Sequence, residues 1–199
     1  MKITPLVGKI QSRSRTLIRT DLLVESANRW LVRHPLGVFQ LLGKLLQGRV
    51  ALKAWLAEVA AQLGWPDDAI VVNVQGDEPF IDPAQIDELA AVLSDDTIQL
   101  ATQMIAVKTQ AELFDPGEVK IVLNSHDEAL YFSRTPIPYL KGVEEKDWHL
   151  RHTYYRHVGM YAYRSDVLEK ITKLPVSSLE QAESLEQLRW LQHGFSIRC

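Results

Sequence analysis

Apolar residues recur with a clear period only from about Trp55 onward. Leu56, Val59, Ala60 and Leu63 repeat at helical spacing, and Gly64 followed by Pro66 ends that helix. Residues 69–74 form a short apolar, β-branched run, the pattern of a strand buried on both faces. Asp82-Pro-Ala-Gln85 predicts a helix start: Asp82 caps, Pro83 takes the first helical position, and Gln85 returns the capping bond. Ile86, Leu89, Ala90 and Leu93 give that helix its buried stripe. Residues 100–107 read as a strand, and Thr109-Gln-Ala-Glu112 as the capping box of a short helix. Residues 119–123 and 129–133 predict a hairpin around the polar turn 124–128.

Pro136 and Pro138 end that hairpin, and the charged stretch 141–151 predicts a surface loop. Residues 154–163 alternate, with Val158, Met160 and Ala162 on one side and His157, Gly159, Tyr161 and Tyr163 on the other. Helices are predicted over about 165–173 and 178–193, followed by a strand-like stub at 195–199. Strands alternating with helices predict an α/β fold. The expected architecture is a mixed, mostly parallel sheet flanked by helices, with one inserted antiparallel hairpin.

The first fifty-odd residues read differently. No sustained strand alternation runs through 1–53, and Gly37, Gly43 and Gly48 interrupt the apolar stretch 36–52. Residues 1–55 carry ten Lys and Arg against Asp21 and Glu25, a net +8, which leaves −11 for the remainder of a chain whose total is −3. The Arg- and Ser-rich start is similar in composition to an organelle transit peptide. It also suits a basic arm for anionic partners, although no interleaved aromatics point to nucleic acid. The simplest expectation is an atypical basic segment, 1–54, ahead of a domain spanning 55–199.

Composition narrows the class. Across 199 residues, 46% hydrophobic and 24% charged content is ordinary for a globular chain, and no run approaches a membrane span. The expectation is therefore a soluble chain without membrane insertion. A lone cysteine, Cys199, rules out an internal disulfide and any multi-cysteine zinc site. The chain carries no Gly-rich dinucleotide fingerprint, no phosphate loop ending in Gly-Lys-Ser/Thr and no serine elbow.

Candidate chemistry gathers at a few places. Gln75-Gly-Asp-Glu-Pro79 follows a predicted strand directly, where open α/β sheets collect ligands, and Asp77 offers a hard oxygen to Mg²⁺. The same run also suits a polar turn in which Asp77 or Glu78 caps a helix. His157 and Tyr161 share a strand face across Gly159, which suits either a small polar ligand or a core histidine. Glu183 and Gln187 lie four apart on one predicted helix face, with Ala182, Leu185 and Leu188 packing behind. That face is either a ligand surface or a solvated one. Arg134, just past a strand end, can meet a carboxylate or phosphate bidentately, or pair with a surface acid. Taken alone, these residues describe a metal-using α/β enzyme.

Four segments carry a resemblance to a known family. Val71-Val-Asn-Val-Gln-Gly-Asp-Glu-Pro79, Ala129-Leu-Tyr-Phe-Ser-Arg134 with Ile137-Pro138, Arg156-His-Val-Gly-Met-Tyr-Ala-Tyr-Arg164 and Glu183-Ser-Leu-Glu-Gln-Leu-Arg189 resemble the 3-deoxy-manno-octulosonate cytidylyltransferase (CMP-Kdo synthetase) family over about residues 55–198. The resemblance implies transfer of CMP from CTP to the anomeric hydroxyl of 3-deoxy-manno-octulosonate (Kdo), with release of pyrophosphate, for lipopolysaccharide assembly. It also implies a nucleotide-diphospho-sugar-transferase-like (Rossmann-like) fold, a Mg²⁺ requirement and a cytoplasmic homodimer. By motif, Asp77 is the catalytic residue that holds Mg²⁺. Gln75, Arg134, His157, Tyr161, Glu183 and Gln187 line the sugar-acid pocket.

Two family segments find no clear counterpart. Leu41-Leu-Gly-Lys-Leu-Leu46 lacks the prolines of the family's Leu-Pro-Gly-Lys-Pro-Leu loop, and no Val-Asp-Thr-Pro-Glu-Asp segment precedes Cys199. The expectations that follow are a displaced reading frame or a rearranged gene start over residues 1 to about 54, a partial cytidylyltransferase domain truncated at its C-terminus after it, and little or no catalysis. The alternatives are a cytidylyltransferase for another acidic sugar, or a non-catalytic, dimerising remnant of the family.

Overall fold

The computed structural model describes residues 57, 60, 61, 64–73 and 82–199, together with the backbone of 11–12, 15–18, 30–34 and 37–41. The chain divides into two compact units, Met1–Thr97 with Met160–Lys173, and Ile98–Gly159 with Leu174–Cys199.

In the first unit, β1 (Gln11–Ser12) pairs antiparallel with β2 (Arg15–Ile18), and β2 runs parallel to β5 (Ile70–Asn73). β3 (Trp30–His34) and β4 (Gly37–Leu41) form a separate antiparallel pair. These four short strands lie where the sequence shows no sustained alternation. None exceeds five residues, too short for a period to stand out. β5 is buried along its whole length, as its apolar run predicts. Its antiparallel partner is the end of β9 (Tyr155–Arg164), in a register that sets Ile70 against Arg164 and Asn73 against Tyr161.

Before β5, Gly64 sits at φ +61°, and the amides of Gly64 and Trp65 donate to Ala61 O and Ala60 O, both at 3.1 Å. That is the glycine-ended helix stop that the sequence predicts there. Other residues of that predicted helix lie outside the described set. After β5, α1 (Pro83–Val92) starts with Asp82 accepting from the Ala84 amide at 2.9 Å, and it buries Ile86, Leu89 and Ala90. Arg164 covers the far end of α1. Its guanidinium donates to Leu93 O at 2.9 Å and Asp95 O at 3.0 Å, where a cation offsets the helix dipole. Val167, Leu168 and Ile171 of α4 (Ser165–Thr172) complete this core.

In the second unit, β7 (Lys120–Leu123) and β8 (Ala129–Ser133) form the predicted hairpin. Asn124 Oδ1 ties its turn by accepting from the amides of His126 and Glu128, at 2.8 and 3.0 Å. β7 also pairs antiparallel with the start of β9, Lys120 against Arg156 and Ile121 against Tyr155. β6 (Leu100–Ala106) likewise pairs with β9. Thr109 caps α2 (Gln110–Phe114) by accepting from the Glu112 amide, while the Glu112 carboxylate accepts from Lys108 one residue upstream.

Four expectations are corrected. The sheet is not mostly parallel. Among the described strand pairs with an assigned register, only β2–β5 is parallel, and β9 opposes both β5 and β7. The 141–151 loop carries a 3-10 turn (Glu145–Asp147) and α3 (Trp148–Arg151). Its charges sit around one buried anchor: Trp148 is 4% exposed, stacks on Tyr154 and donates Nε1–H to Val143 O at 3.0 Å. The helix predicted over 178–193 is two helices, α5 (Ser178–Glu183) and α6 (Gln187–Gln192). Ser184 breaks it in the left-handed conformation at φ 55°, and an Arg189–Glu180 ion pair spans the break. The predicted stub at 195–199 reduces to single bridges from Arg198 to Ala101 and Glu128.

Beside that bridge, Cys199 Sγ donates to Ile197 O at 3.7 Å, and burial pushes its thiol up to about 12 from the ordinary 9.0. The folded chain thus holds a proton that the unfolded chain loses above about pH 9, so the thiol's contribution is complete below pH 9 and declines as pH rises toward 12. Urea unfolding at stepped pH is expected to show stability falling above pH 9, with a shallower fall in Cys199→Ser. An identical slope in the variant would show that the thiol is not protected by folding.

Candidate active site

Three neighbouring strands of the second unit set the site. Lys120 on β7 lies opposite both Ser133 on β8 and Arg156 on β9, so the three side chains share one sheet face. Lys120 is fully buried. Its ammonium donates to Asp115 O and Glu118 O of the preceding turn. Burial lowers the Lys120 pKa, opposed by the carboxylates of Asp115 and Glu118; Arg134 adds to the lowering and Glu183 opposes it. Arg156 reaches the same turn through an ion pair with Glu118 at 3.1 Å.

At the end of β8 the chain makes a reciprocal contact with α5. Ser133 Oγ donates to one Glu183 carboxylate oxygen at 2.7 Å, and the Arg134 amide donates to the other at 3.0 Å. Arg134 answers with Nε–H to the Glu183 backbone oxygen at 2.8 Å and Nη1–H to Pro116 O at 3.0 Å. One carboxylate thus satisfies two donors at a strand end where the sheet supplies no partner. Glu183 also joins burial in raising the pKa of Tyr131.

His157 belongs to the opposite sheet face. It shares the parity of Tyr155, whose partner Ile121 also opposes Phe132, and its ring meets Phe132 edge-on at 5.3 Å. Its Nε2 lies 2.9 Å from Thr102 Oγ1. Tyr161, in the first unit, is 2% exposed and stacks on Tyr163 at 5.9 Å. Beside it Asn73, 1% exposed, closes β5 with an amide that has no hydrogen-bond partner among the described residues. Gln187 opens α6, the helix that packs against β8, and is buried at 6% exposure.

Of the residues singled out by sequence, the structure brings Arg134 and Glu183 into direct contact. Glu183 and Gln187 do not share one continuous helix face, because Ser184 and the turn to Gln187 intervene. The expected packing side is also revised: Leu185 and Leu188 are buried, whereas Ala182 is exposed. Gln75 and Asp77 lie outside the described residues. Among the described residues, no group of three or more His, Cys, Asp or Glu is placed to hold a metal ion. Sequence reasoning missed Lys120, Ser133 and Thr102. A signal existed for Lys120, a lone charge at an inward position of an otherwise apolar strand.

Comparison with known proteins places this arrangement. The family model described as Cytidylyltransferase matches residues 38–197, most of the chain, starting ahead of Trp55. The chain belongs to the cytidylyltransferase family. Within it, the chain is 50% identical over 141 residues to the 3-deoxy-manno-octulosonate cytidylyltransferase of Cytophaga hutchinsonii, covering 70% of this chain and 56% of the relative. It is 51% identical over 134 residues to the enzyme of that name from Porphyromonas gingivalis, covering 66% and 53%. A solved structure of CMP:2-keto-3-deoxy-manno-octonic acid synthetase complexed with CTP is 41% identical, with a TM-score of 0.66, and covers 75% of this chain and 58% of that one. The chain spans a little over half the length of the curated relatives that it matches. Among the described residues no helix is long and apolar enough to cross a membrane.

The Glu183 contact reads as architecture of this cytidylyltransferase fold, where the sequence left open a solvated face. Glu183→Ala removes the acceptor for a buried hydroxyl and a backbone amide, a loss of about 2–3 kcal/mol. Exposed Gln181→Ala is expected to stay within about 0.5 kcal/mol. Urea unfolding of both variants checks this. Equal stabilities would mean that Glu183 contributes nothing to the fold.

Proposed function

We propose that this chain transfers CMP from CTP to the anomeric hydroxyl of Kdo, working in the cytoplasm as a homodimer with Mg²⁺ at Asp77. The reading rests chiefly on one observation. Relatives named 3-deoxy-manno-octulosonate cytidylyltransferase are about half identical to it over 134–141 residues, and the matched family model spans the positions of Gln75, Asp77, Arg134, His157, Tyr161, Glu183 and Gln187. The CTP-complexed neighbour of similar fold supports CTP as the nucleotide.

In this reaction the sugar hydroxyl oxygen forms a bond to the α-phosphorus, its proton departs, and pyrophosphate leaves with the broken P–O bond. Asp77 supplies the hard oxygen that Mg²⁺ prefers, and the ion, when bound, offsets phosphate charge. The chain's own part is alignment. On this reading Arg134 is held half-buried by Glu183 and Pro116, so its cationic plane is fixed before a sugar carboxylate arrives. Gln75, His157, Tyr161, Glu183 and Gln187 complete the sugar-acid pocket, with Glu183 acting chiefly by holding Arg134.

The test is pyrophosphate release with CTP, Kdo and Mg²⁺. The wild-type chain is expected to release pyrophosphate only with all three present, and Asp77→Asn to lose at least about a hundredfold in kcat. Wild-type turnover by Asp77→Asn would remove the metal role, and no release by wild-type chain would overturn the reading itself.

A further inference from the structure

The turn 115–118 collects cationic side chains from three neighbouring segments of the sheet. Lys120, 0% exposed on β7, donates its ammonium to Asp115 O at 2.7 Å and to Glu118 O. Arg134, just past the end of β8, donates Nη1–H at 3.0 Å to Pro116 O, a carbonyl that lies between those two in the chain. Arg156 on β9 reaches the Glu118 carboxylate at 3.1 Å. Within the turn, Asp115 Oδ1 accepts from the Gly117 amide at 2.7 Å, and the Glu118 amide donates to Asp115 O at 3.2 Å.

The bonds within the turn fix its shape, as an aspartate that accepts from the amide two residues on commonly does. They do not fix its place on the sheet. Lys120 does that, because its ammonium grips the carbonyls on both sides of Pro116 from a buried strand position. The Pro116 carbonyl is thereby presented to Arg134. Charge adds to the demand: Arg134 and Lys120 repel, and the Arg134 charge is one cause that lowers the Lys120 pKa. Both cations therefore need the oxygens of this turn. Arg134 also donates Nε–H to the Glu183 backbone oxygen at 2.8 Å. A planar guanidinium held at one nitrogen can swing about that bond, whereas one held at two cannot.

We propose that Lys120 is a positioning residue for Arg134: by holding the turn at Asp115 and Glu118, it sets the plane of the guanidinium that meets the carboxylate of the sugar acid. This rests on the reading above that places Arg134 in the sugar-acid pocket. Arginine recognises a carboxylate through directional, coplanar N–H bonds, so the plane decides the strength of the contact. The expected consequence is a specific effect on the sugar acid, with CTP little affected.

Two variants test the link from different sides of the turn. Lys120→Met keeps the length of the side chain and loses the ammonium. Asp115→Ala, at an exposed position, loses the bond to the Gly117 amide and leaves the backbone oxygens that Lys120 grips. The ¹⁵N signals of the Arg134 guanidinium report its hold directly, with or without turnover. The wild type is expected to show two separate Nη signals, the mark of restricted rotation. Lys120→Met should merge them, and Asp115→Ala should broaden them. The KM for Kdo is expected to rise about tenfold in Lys120→Met and about threefold in Asp115→Ala, with kcat and the KM for CTP within about twofold of wild type. Merged Nη signals in the wild type would overturn the proposal, and so would unchanged signals in a folded Lys120→Met. Should Lys120→Met not fold, Asp115→Ala decides: broadened signals support the link, and signals identical to wild type overturn it. Altered Arg134 signals with an unchanged KM for Kdo would support Lys120 as the holder of the guanidinium and instead remove Arg134 from the sugar pocket.

Discussion

The end of strand β8 depends on the carboxylate of Glu183. A strand that stops leaves its next amide without a ladder partner, and here the Arg134 amide, with the Ser133 hydroxyl beside it, donates to a side chain 49–50 positions away. The bond back from Arg134 Nε to the Glu183 carbonyl makes the contact reciprocal, so neither partner can swing away alone. Arg134 Nη1 extends the same hold to Pro116, in the turn that Lys120 also grips through Asp115 and Glu118. Arg134 and Lys120 thus bind one turn from two strands, beside the Arg156–Glu118 ion pair, and the Glu183 carboxylate supports the charge on Lys120.

This arrangement explains how a lysine can be tolerated inside a sheet. A buried ammonium without partners would be expensive, but two backbone oxygens meet it and the nearby carboxylates oppose the loss of its charge. On the other face of the same strands, His157 lies against the aromatic edge of Phe132 and bonds to the hydroxyl of Thr102. One face is therefore an electrostatic frame, and the other sets an imidazole against an aromatic edge.

Much of this was legible in the residues, for reasons that differ by element. The β7–β8 hairpin follows from two apolar runs around a polar turn, closed by Pro136 and Pro138, and the caps at Asp82 and Thr109 are local hydrogen bonds between residues two or three apart. The break at Ser184 was not legible, since a serine carries no sequence signal for a left-handed backbone. Strand direction was misjudged because it is set by partners distant in the chain, such as β5 and β9. Arg134 and Glu183 could each be nominated as reactive polar groups, but their contact with each other belongs to the fold. The anchoring of the charged stretch by Trp148 was missed for the same reason: its partners are Tyr154 and Val143, each modest on its own.

The central claim is that Glu183 holds the β8 end as a structural brace. Amide hydrogen exchange at Arg134 tests it most directly, because that amide's partner is the Glu183 carboxylate itself. In the native wild type, exchange at Arg134 is expected to be slow, comparable with the amides of the β7–β8 ladder. In Glu183→Ala it should rise toward the rate of an exposed loop while the ladder of β7 stays protected. Equally slow exchange at Arg134 in both proteins would contradict the account.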